Sequence, residues 1–189
     1  MDKFEQFEKD GTTILKDIKF VLDTLDLEFF LLFGTALGAV RDKKLIDGDY
    51  DIDIGLKHEV LKVHIDSIGM ALVGMGYHVK NHPAPYGYPR MIKATKHNIM
   101  LDIVDLELVD DTRIHFNKPN GSCLVYPARL FEDMYEIEFY GMRFKVPTPC
   151  AEFLELTYGD WETPVSQHPW LNTPCEKSLY WQEVLGRSL

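Results

Sequence analysis

Two aspartates flanking a β-branched residue, in Asp51-Ile52-Asp53-Ile54, begin ten residues after Arg41, the end of the run Leu32-Phe33-Gly34-Thr35-Ala36-Leu37-Gly38-Ala39-Val40-Arg41. In an extended strand successive side chains alternate, so Asp51 and Asp53 share one face while Ile52 and Ile54 pack on the other. Adjacent carboxylates repel unless a cation lies between them. Mg²⁺ or Mn²⁺ suits that place, because these hard ions take one or two protein carboxylates and complete their shell with water and phosphate oxygens. Upstream, Glu28 to Phe33 reads as a buried strand ending at Gly34, where a side chain would obstruct a phosphate. Thr35 offers a hydroxyl and opens a short helix, Ala36 to Arg41, whose first N–H groups can receive an anion. Arg41 adds charge-assisted contacts to the same phosphate. Gly34, Thr35 and Arg41 are therefore candidate phosphate-binding residues, and Asp51 and Asp53 candidate metal ligands. Such an arrangement serves metal-assisted transfer of a phosphoryl or nucleotidyl group.

The run Asp47-Gly48-Asp49-Tyr50-Asp51 has the composition of an ordinary turn, since Asp and Gly favour turns. The ordered succession of strand, Gly-Thr turn, helix and carboxylate strand is what favours a site.

The elements that must position these residues are legible in the apolar periodicity. Thr12 or Thr13 can cap a helix carrying Ile14, Leu15, Ile18, Val21, Leu22 and Leu25 on one face. A second helix is expected from His58 to about Met75, stopped by Gly74 and Gly76. Strands are expected at Tyr77 to Lys80, Tyr88 to Thr95 and Asn98 to Leu108, with a Pro- and Gly-containing loop from His82 to Gly87. Tyr135 to Phe139 and Met142 to Val146 read as a hairpin about Tyr140-Gly141, followed by a helix from Pro149 to Thr157 that Gly159 ends. This mixture of elements in one short chain is α+β or α/β.

A third carboxylate is expected on the strand containing Leu101-Asp102-Ile103. Asp102 projects from an otherwise apolar face, and an acid there is costly to bury unless it meets a cation or a donor. A metal is one such partner, and a cross-strand lysine such as Lys93 is the other. Asp105, on the opposite parity, is the weaker candidate. Arg90 and Lys93 cannot share a face of a regular strand, and Arg90 is the candidate second phosphate ligand because a guanidinium matches phosphate geometry.

The 189 residues, 46% of them hydrophobic, can bury one sizeable core, and a single domain over 1–189 is expected. A formal charge of −10 and the lack of a basic run argue against a nucleic-acid partner, since phosphate neutralisation supplies much of such affinity. No apolar run is long enough to cross a membrane, and the first residues are polar, so a cytoplasmic protein without membrane insertion is expected. Cys123, Cys150 and Cys175 show no ligand or disulfide spacing, and the seven histidines are scattered. The aromatics of Tyr158 to Pro164 read as packing or as one wall of a substrate pocket.

The residues Phe33 to Arg41, then Ile46, Asp49 and Asp51-Ile52-Asp53-Ile54, resemble the signature of the LicD/fukutin-related proteins, members of the nucleotidyltransferase-fold superfamily. Phe139, Gly141, Val146-Pro147, Phe153-Leu154, Tyr158-Gly159-Asp160-Trp161 and Thr163-Pro164 are similar to that family's second block, so the resemblance spans residues 12–165. The family often has three consecutive acids before Ile-Asp. Here Tyr50 takes the middle place, which leaves Asp49 open while Asp51 and Asp53 match. The resemblance implies a nucleotidyltransferase fold with a mixed β-sheet flanked by helices and a C-terminal hairpin and helix. It also implies catalytic and metal-binding roles for Asp51, Asp53 and Asp102, with Mg²⁺ or Mn²⁺ as cofactor. The implied donor is a CDP-linked alcohol such as CDP-choline or CDP-ribitol, the acceptor a sugar or glycan hydroxyl, and CMP the product released. Two other readings use the same residues: NMP transfer from an NTP to a small molecule or protein, and a non-catalytic nucleotide-binding domain.

Overall fold

The computed structural model describes residues 2–83, 89–116 and 123–165, and the side chains of all of these except 81–83, 89, 90, 116 and 123. Helix α1 (Lys3–Thr24) opens with a reciprocal cap in which Asp2 Oδ1 accepts the Glu5 N–H at 2.7 Å and Glu5 Oε2 accepts the Asp2 N–H at 2.9 Å. It therefore starts well before the threonines expected to cap it. Thr12 and Thr13 lie inside the helix and donate back to the carbonyls of Glu8 and Lys9. Its buried face, Ile14, Leu15, Ile18, Val21 and Leu22, is the expected one.

Strand β1 (Phe30–Leu31) is only two residues long, because the backbone turns at once into helix α2 (Phe33–Leu37). Phe33 makes this turn with φ at +43°, a left-handed conformation that costs a non-glycine residue about 1–3 kcal/mol. Its ring offsets the strain by packing on Phe153 and His115, with centroids 6.4 and 5.6 Å away. The expected continuous helix to Arg41 is instead split, with a π-helical turn over Gly38–Asp42 after α2.

Strand β2 (Asp51–Lys57) leads into α3 (His58–Gly74). Then come β3 (His78–Pro83), β4 (Pro89–Lys96), β5 (Ile99–Val109), β6 (Thr112–Phe116) and β7 (Cys123–Pro127). A 3₁₀ turn (Ala128–Phe131), the hairpin β8 (Tyr135–Phe139) and β9 (Met142–Val146), and α4 (Cys150–Tyr158) complete the described chain. Strands β6 and β7 were not expected from the sequence, and residues 84–88 of the expected loop and strand start lie outside the described residues.

The sheet runs β3-β4-β5-β2-β1-β9-β8, with β6 and β7 branching from β5. Pairs β2–β5 and β1–β9 are parallel and the others antiparallel, so the protein is a mixed α/β fold with a central mixed sheet flanked by helices. Ile52 and Ile54 stand beside Leu101 and Ile103 in register, all fully buried. Burying each such side chain contributes ~1.5–3 kcal/mol relative to leaving it exposed. Helices α1 and α3 cover this face, and α2 and α4 pack together on the other. Among the described residues no helix is long and apolar enough to cross a membrane.

Candidate metal centre and active site

The parallel pairing of β2 with β5 sets Asp53 directly beside Asp102, and the strand period of two adds Asp51 on the same face. One carboxylate oxygen from each of Asp51, Asp53 and Asp102 lies within 4.8 Å of the others. Asp53 and Asp102 are only 5% and 7% exposed, and Asp53 Oδ2 and Asp102 Oδ1 are buried with no hydrogen-bond partner. Leaving charged oxygens in that condition is costly, and a divalent cation with oxygen preference is the group that satisfies them. The residues thus fit the Mg²⁺ or Mn²⁺ expected from the sequence.

The Gly-Thr turn braces this cluster. Thr35, buried in α2, accepts the backbone N–H of Asp53 on its hydroxyl at 2.9 Å, while the Leu32 N–H donates to the Asp53 carbonyl at 3.2 Å. Gly34 has a spatial reason to lack a side chain. A Cβ there would sit 2.6 Å from Asp49 Oδ2 and 3.9 Å from Asp53 Oδ2. Its absence thus makes room for a fourth carboxylate, and Asp49, left open by the sequence, belongs to the same acidic group.

The electrostatics carry the signature of a cation site. Burial pushes Asp53 well above the usual carboxylate range, the charges of Asp51, Asp102 and Asp49 add to the rise, and the Gly34 backbone N–H partly opposes it. Asp49 is raised as well, chiefly by burial, against hydrogen bonds it accepts from Asp51 and from the Tyr50 backbone. A cation among these groups reverses the effect and favours their ionised forms.

Around this centre the other expected residues are distributed unevenly. Arg41 lies in the π-helical turn, where Nε and Nη2 donate to Asp42 at 2.9 and 2.8 Å and Nη1 to the Trp161 carbonyl at 3.1 Å. It therefore ties the Tyr158–Trp161 segment to the Gly38–Asp42 turn. Arg90 belongs to β4, and its side chain lies outside the described residues. Lys93 on the same strand is the cation brought to the centre: it faces Asp102 in register and donates to its Oδ2 at 2.9 Å. Both partners foreseen for Asp102 are thus compatible, since the lysine takes one oxygen and leaves the other to the cluster.

Two aromatic groups frame the site. Tyr50 is 56% exposed, and its carbonyl accepts the Met100 N–H at 3.3 Å, fixing it where β2 begins. Tyr158 ends α4 almost fully buried, and its hydroxyl is held far above the usual tyrosine range by burial and then by the charges of Asp53, Tyr126, Asp49 and Asp51. It remains a protonated O–H beside the acids. The sequence offered Lys93 as a cross-strand partner of Asp102, and the register of β4 against β5 bears that pairing out. It offered Tyr158 as packing or one wall of a pocket, and the tertiary placement of α4 sets its hydroxyl near the acids.

The remaining candidates stay away from chemistry. His58 Nδ1 meets Asp105 Oδ2 at 2.5 Å on the α3 side of the sheet, and Asp105 is fully buried. Burial pushes the Cys150 thiol up to about 12, which leaves it inert.

Comparison with known proteins bears on the fold and the family. Two structures of the antibiotic-resistance factor ANT(2'')-Ia share the fold. Its solution structure superposes with a TM-score of 0.53 at 17% identity, covering 96% of this chain and 87% of that one. Its crystal structure in complex with adenylyl-2''-tobramycin gives 0.53 at 18% identity, covering 95% and 91%. Among curated sequences, the uncharacterized protein RT0683 of Rickettsia typhi is 33% identical over 69 residues, 36% of this chain. RP689 of Rickettsia prowazekii is 35% identical over 66 residues, 35% of this chain. The chain spans only 22% and 24% of the lengths of these two relatives. The family model described as LicD/FKTN/FKRP, nucleotidyltransferase domain, matches residues 26–149, a stretch that holds β1 to β9 and every carboxylate of the centre. With more than half of its length matched, the chain belongs to the LicD/FKTN/FKRP nucleotidyltransferase-domain family.

Proposed function

We propose that this protein is a metal-dependent transferase that moves a phospho-alcohol group, such as phosphocholine or ribitol phosphate, from a CDP-linked donor to a sugar or glycan hydroxyl. The observation that carries the reading is the convergence of one oxygen each from Asp51, Asp53 and Asp102, the last two also carrying a buried, unpartnered oxygen, in a member of this family. Asp51, Asp53 and Asp102 would hold a divalent ion. When bound, that ion supplies charge neutralisation for the diphosphate and for the leaving oxygen.

The chain's own groups do the rest. Thr35 and Leu32 lock the Asp53 backbone, so the carboxylate is placed before substrate arrives. Gly34 lets the donor's phosphates approach the acids without a side chain between them. Arg41 keeps N–H donors beyond those given to Asp42 and Trp161, and these would meet a phosphate. Arg90 is a second such cation in this reading. In the reaction the acceptor oxygen bonds to the phosphorus that bears the alcohol, the bond from that phosphorus to the CMP oxygen breaks, and CMP leaves. Asp102 either shares in holding the ion or takes the proton of the acceptor hydroxyl. The same machinery sits in a cytoplasmic enzyme acting on small nucleotide-linked donors, consistent with the charge of −10.

A second reading is favoured by the fold it shares with ANT(2'')-Ia, whose complex holds an adenylylated aminoglycoside. In that case NMP passes from an NTP to a small molecule, and pyrophosphate is released. A screen of CDP-choline, CDP-ribitol and the NTPs with Mg²⁺ or Mn²⁺ separates the two. CMP release from a CDP-alcohol supports the proposal, pyrophosphate release from an NTP supports the second reading, and binding without turnover of any donor refutes both.

A further inference from the structure

A single row of charge crosses the sheet at the centre. Lys93 on β4, Asp102 on β5 and Asp53 on β2 are consecutive register partners, and all three face the same side. Lys93 donates from Nζ to Asp102 Oδ2 at 2.9 Å and reaches Met100 Sδ at 3.7 Å, with a third of its side chain exposed. That bond consumes one Asp102 oxygen. The other, Oδ1, is buried without a partner, as is Oδ2 of Asp53 on the neighbouring strand.

The charge balance follows from these contacts. Asp51, Asp53 and Asp102, with Asp49 beside them, bring four negative charges when ionised, and Lys93 returns one positive charge. One divalent ion leaves a single negative charge. A second would turn the centre net positive beside the buried Asp53 and Asp102, where Lys93 already holds one Asp102 oxygen.

We infer that Lys93 is the second cation of this centre: its ammonium holds the outer side of Asp102, so that the donor-free protein takes one divalent ion rather than two. The inference rests on the metal reading of the carboxylates given above. Lys93 acts as a positioning residue, holding Asp102 by Oδ2 and leaving Oδ1 for the ion. Its exposed part presents positive charge to the anionic donor from the side opposite the Gly34 turn.

Mn²⁺ binding to the donor-free, full-length protein, followed by calorimetry and by the loss of the free-ion electron paramagnetic resonance signal, tests this directly. The wild type is expected to bind one Mn²⁺. Lys93→Met keeps the length of the side chain and removes its charge, so the first ion should bind more tightly, by about tenfold or more, because a repelling charge a few ångströms away is gone. A second ion should also become detectable, while turnover falls. Lys93→Arg should retain the single-ion stoichiometry and serves as the folding control, with circular dichroism checked for both variants. Tighter metal binding joined to slower turnover is a combination that a merely structural lysine would not produce. Two ions in the wild type, or a Lys93→Met variant with unchanged or weaker Mn²⁺ binding, would overturn the inference and leave the metal reading standing. A wild type that binds no Mn²⁺ at all would remove the metal reading itself, and the inference with it.

Discussion

Strand β5 carries two buried aspartates three residues apart, and they have opposite fates. Asp102 faces the α2 and α4 side, clusters with Asp51 and Asp53, and pairs with Lys93 through Oδ2. Asp105 faces α3, where His58 at the start of that helix meets its carboxylate at 2.5 Å and His115 approaches its carbonyl at 3.4 Å. Both acids are desolvated to a similar degree, at 7% and 0% exposure. Burial alone therefore does not mark a functional carboxylate. The distinction lies in the neighbours: Asp102 sits beside the carboxylates of Asp51 and Asp53 with Lys93 on its outer side, whereas Asp105 has a ring nitrogen built into the adjacent helix.

Variants of the two faces should separate chemistry from stability. The largest effect is expected from Asp53→Asn or Asp51→Asn, each lowering turnover on the order of 10³-fold while leaving the thermal midpoint of the metal-free protein unchanged or higher. Steady-state rates beside melting curves check this, and wild-type rates in both variants would remove the centre from the mechanism. Asp105→Ala should do the reverse, lowering the unfolding free energy by about 2–3 kcal/mol in urea titrations while Mn²⁺ binding persists. If metal binding were lost before stability, the two faces would not be independent. Thr35→Val strands the Asp53 N–H and should cost about 1–2 kcal/mol, most of it recovered in Thr35→Ser.

The smallest effect is a dependence on pH. Asp53 has its folded-state pKa raised above the usual carboxylate value by burial and by Asp51, Asp102 and Asp49. A group raised in this way stabilises the fold below its unfolded pKa, and that contribution is lost as pH rises through its folded pKa. Metal-free wild type should therefore gain stability relative to Asp53→Asn as the pH falls through the raised folded-state pKa of Asp53. Glu28 and Glu59, held low by Lys145, Lys57 and Arg113, contribute in the opposite sense and lose their stabilisation only at more acid pH. Saturating Mn²⁺ should abolish the difference.

How far the sequence disclosed this design depended on the range of the interaction involved. The alternation in Asp51-Ile52-Asp53-Ile54 and in Leu101-Asp102-Ile103 is local, and it placed the acids and the apolar partners on the correct faces. The C-terminal hairpin and α4 were equally local, set by a tight turn and a helix-ending glycine. The start of α1 was misplaced because the cap, Asp2 with Glu5, precedes the apolar stripe by several residues. The early turn into α2 at Phe33 has a long-range cause, since its ring packs on Phe153 and His115, far along the chain. The same holds for Arg41, whose partner Trp161 lies 120 residues away. Arg90 was preferred to Lys93 on chemical type alone, and it was the pairing of β4 with β5 that brought the lysine to Asp102. Asp49 became visible only once Gly34 was seen to vacate the space its carboxylate fills.

The placement of Lys93, Asp102 and Asp53 as direct neighbours across three strands makes the centre unusually sensitive to errors of length. Inserting or deleting one residue in β5 just ahead of Asp102 would exchange it with an aliphatic neighbour, burying a carboxylate beneath α1 and α3 and offering the ion a hydrocarbon instead. Substitutions within this row can be graded, but frame shifts within it cannot. Lineages of the protein should therefore confine their changes in length to the connections between strands, and any copy that breaks this pattern should have given up divalent ions altogether.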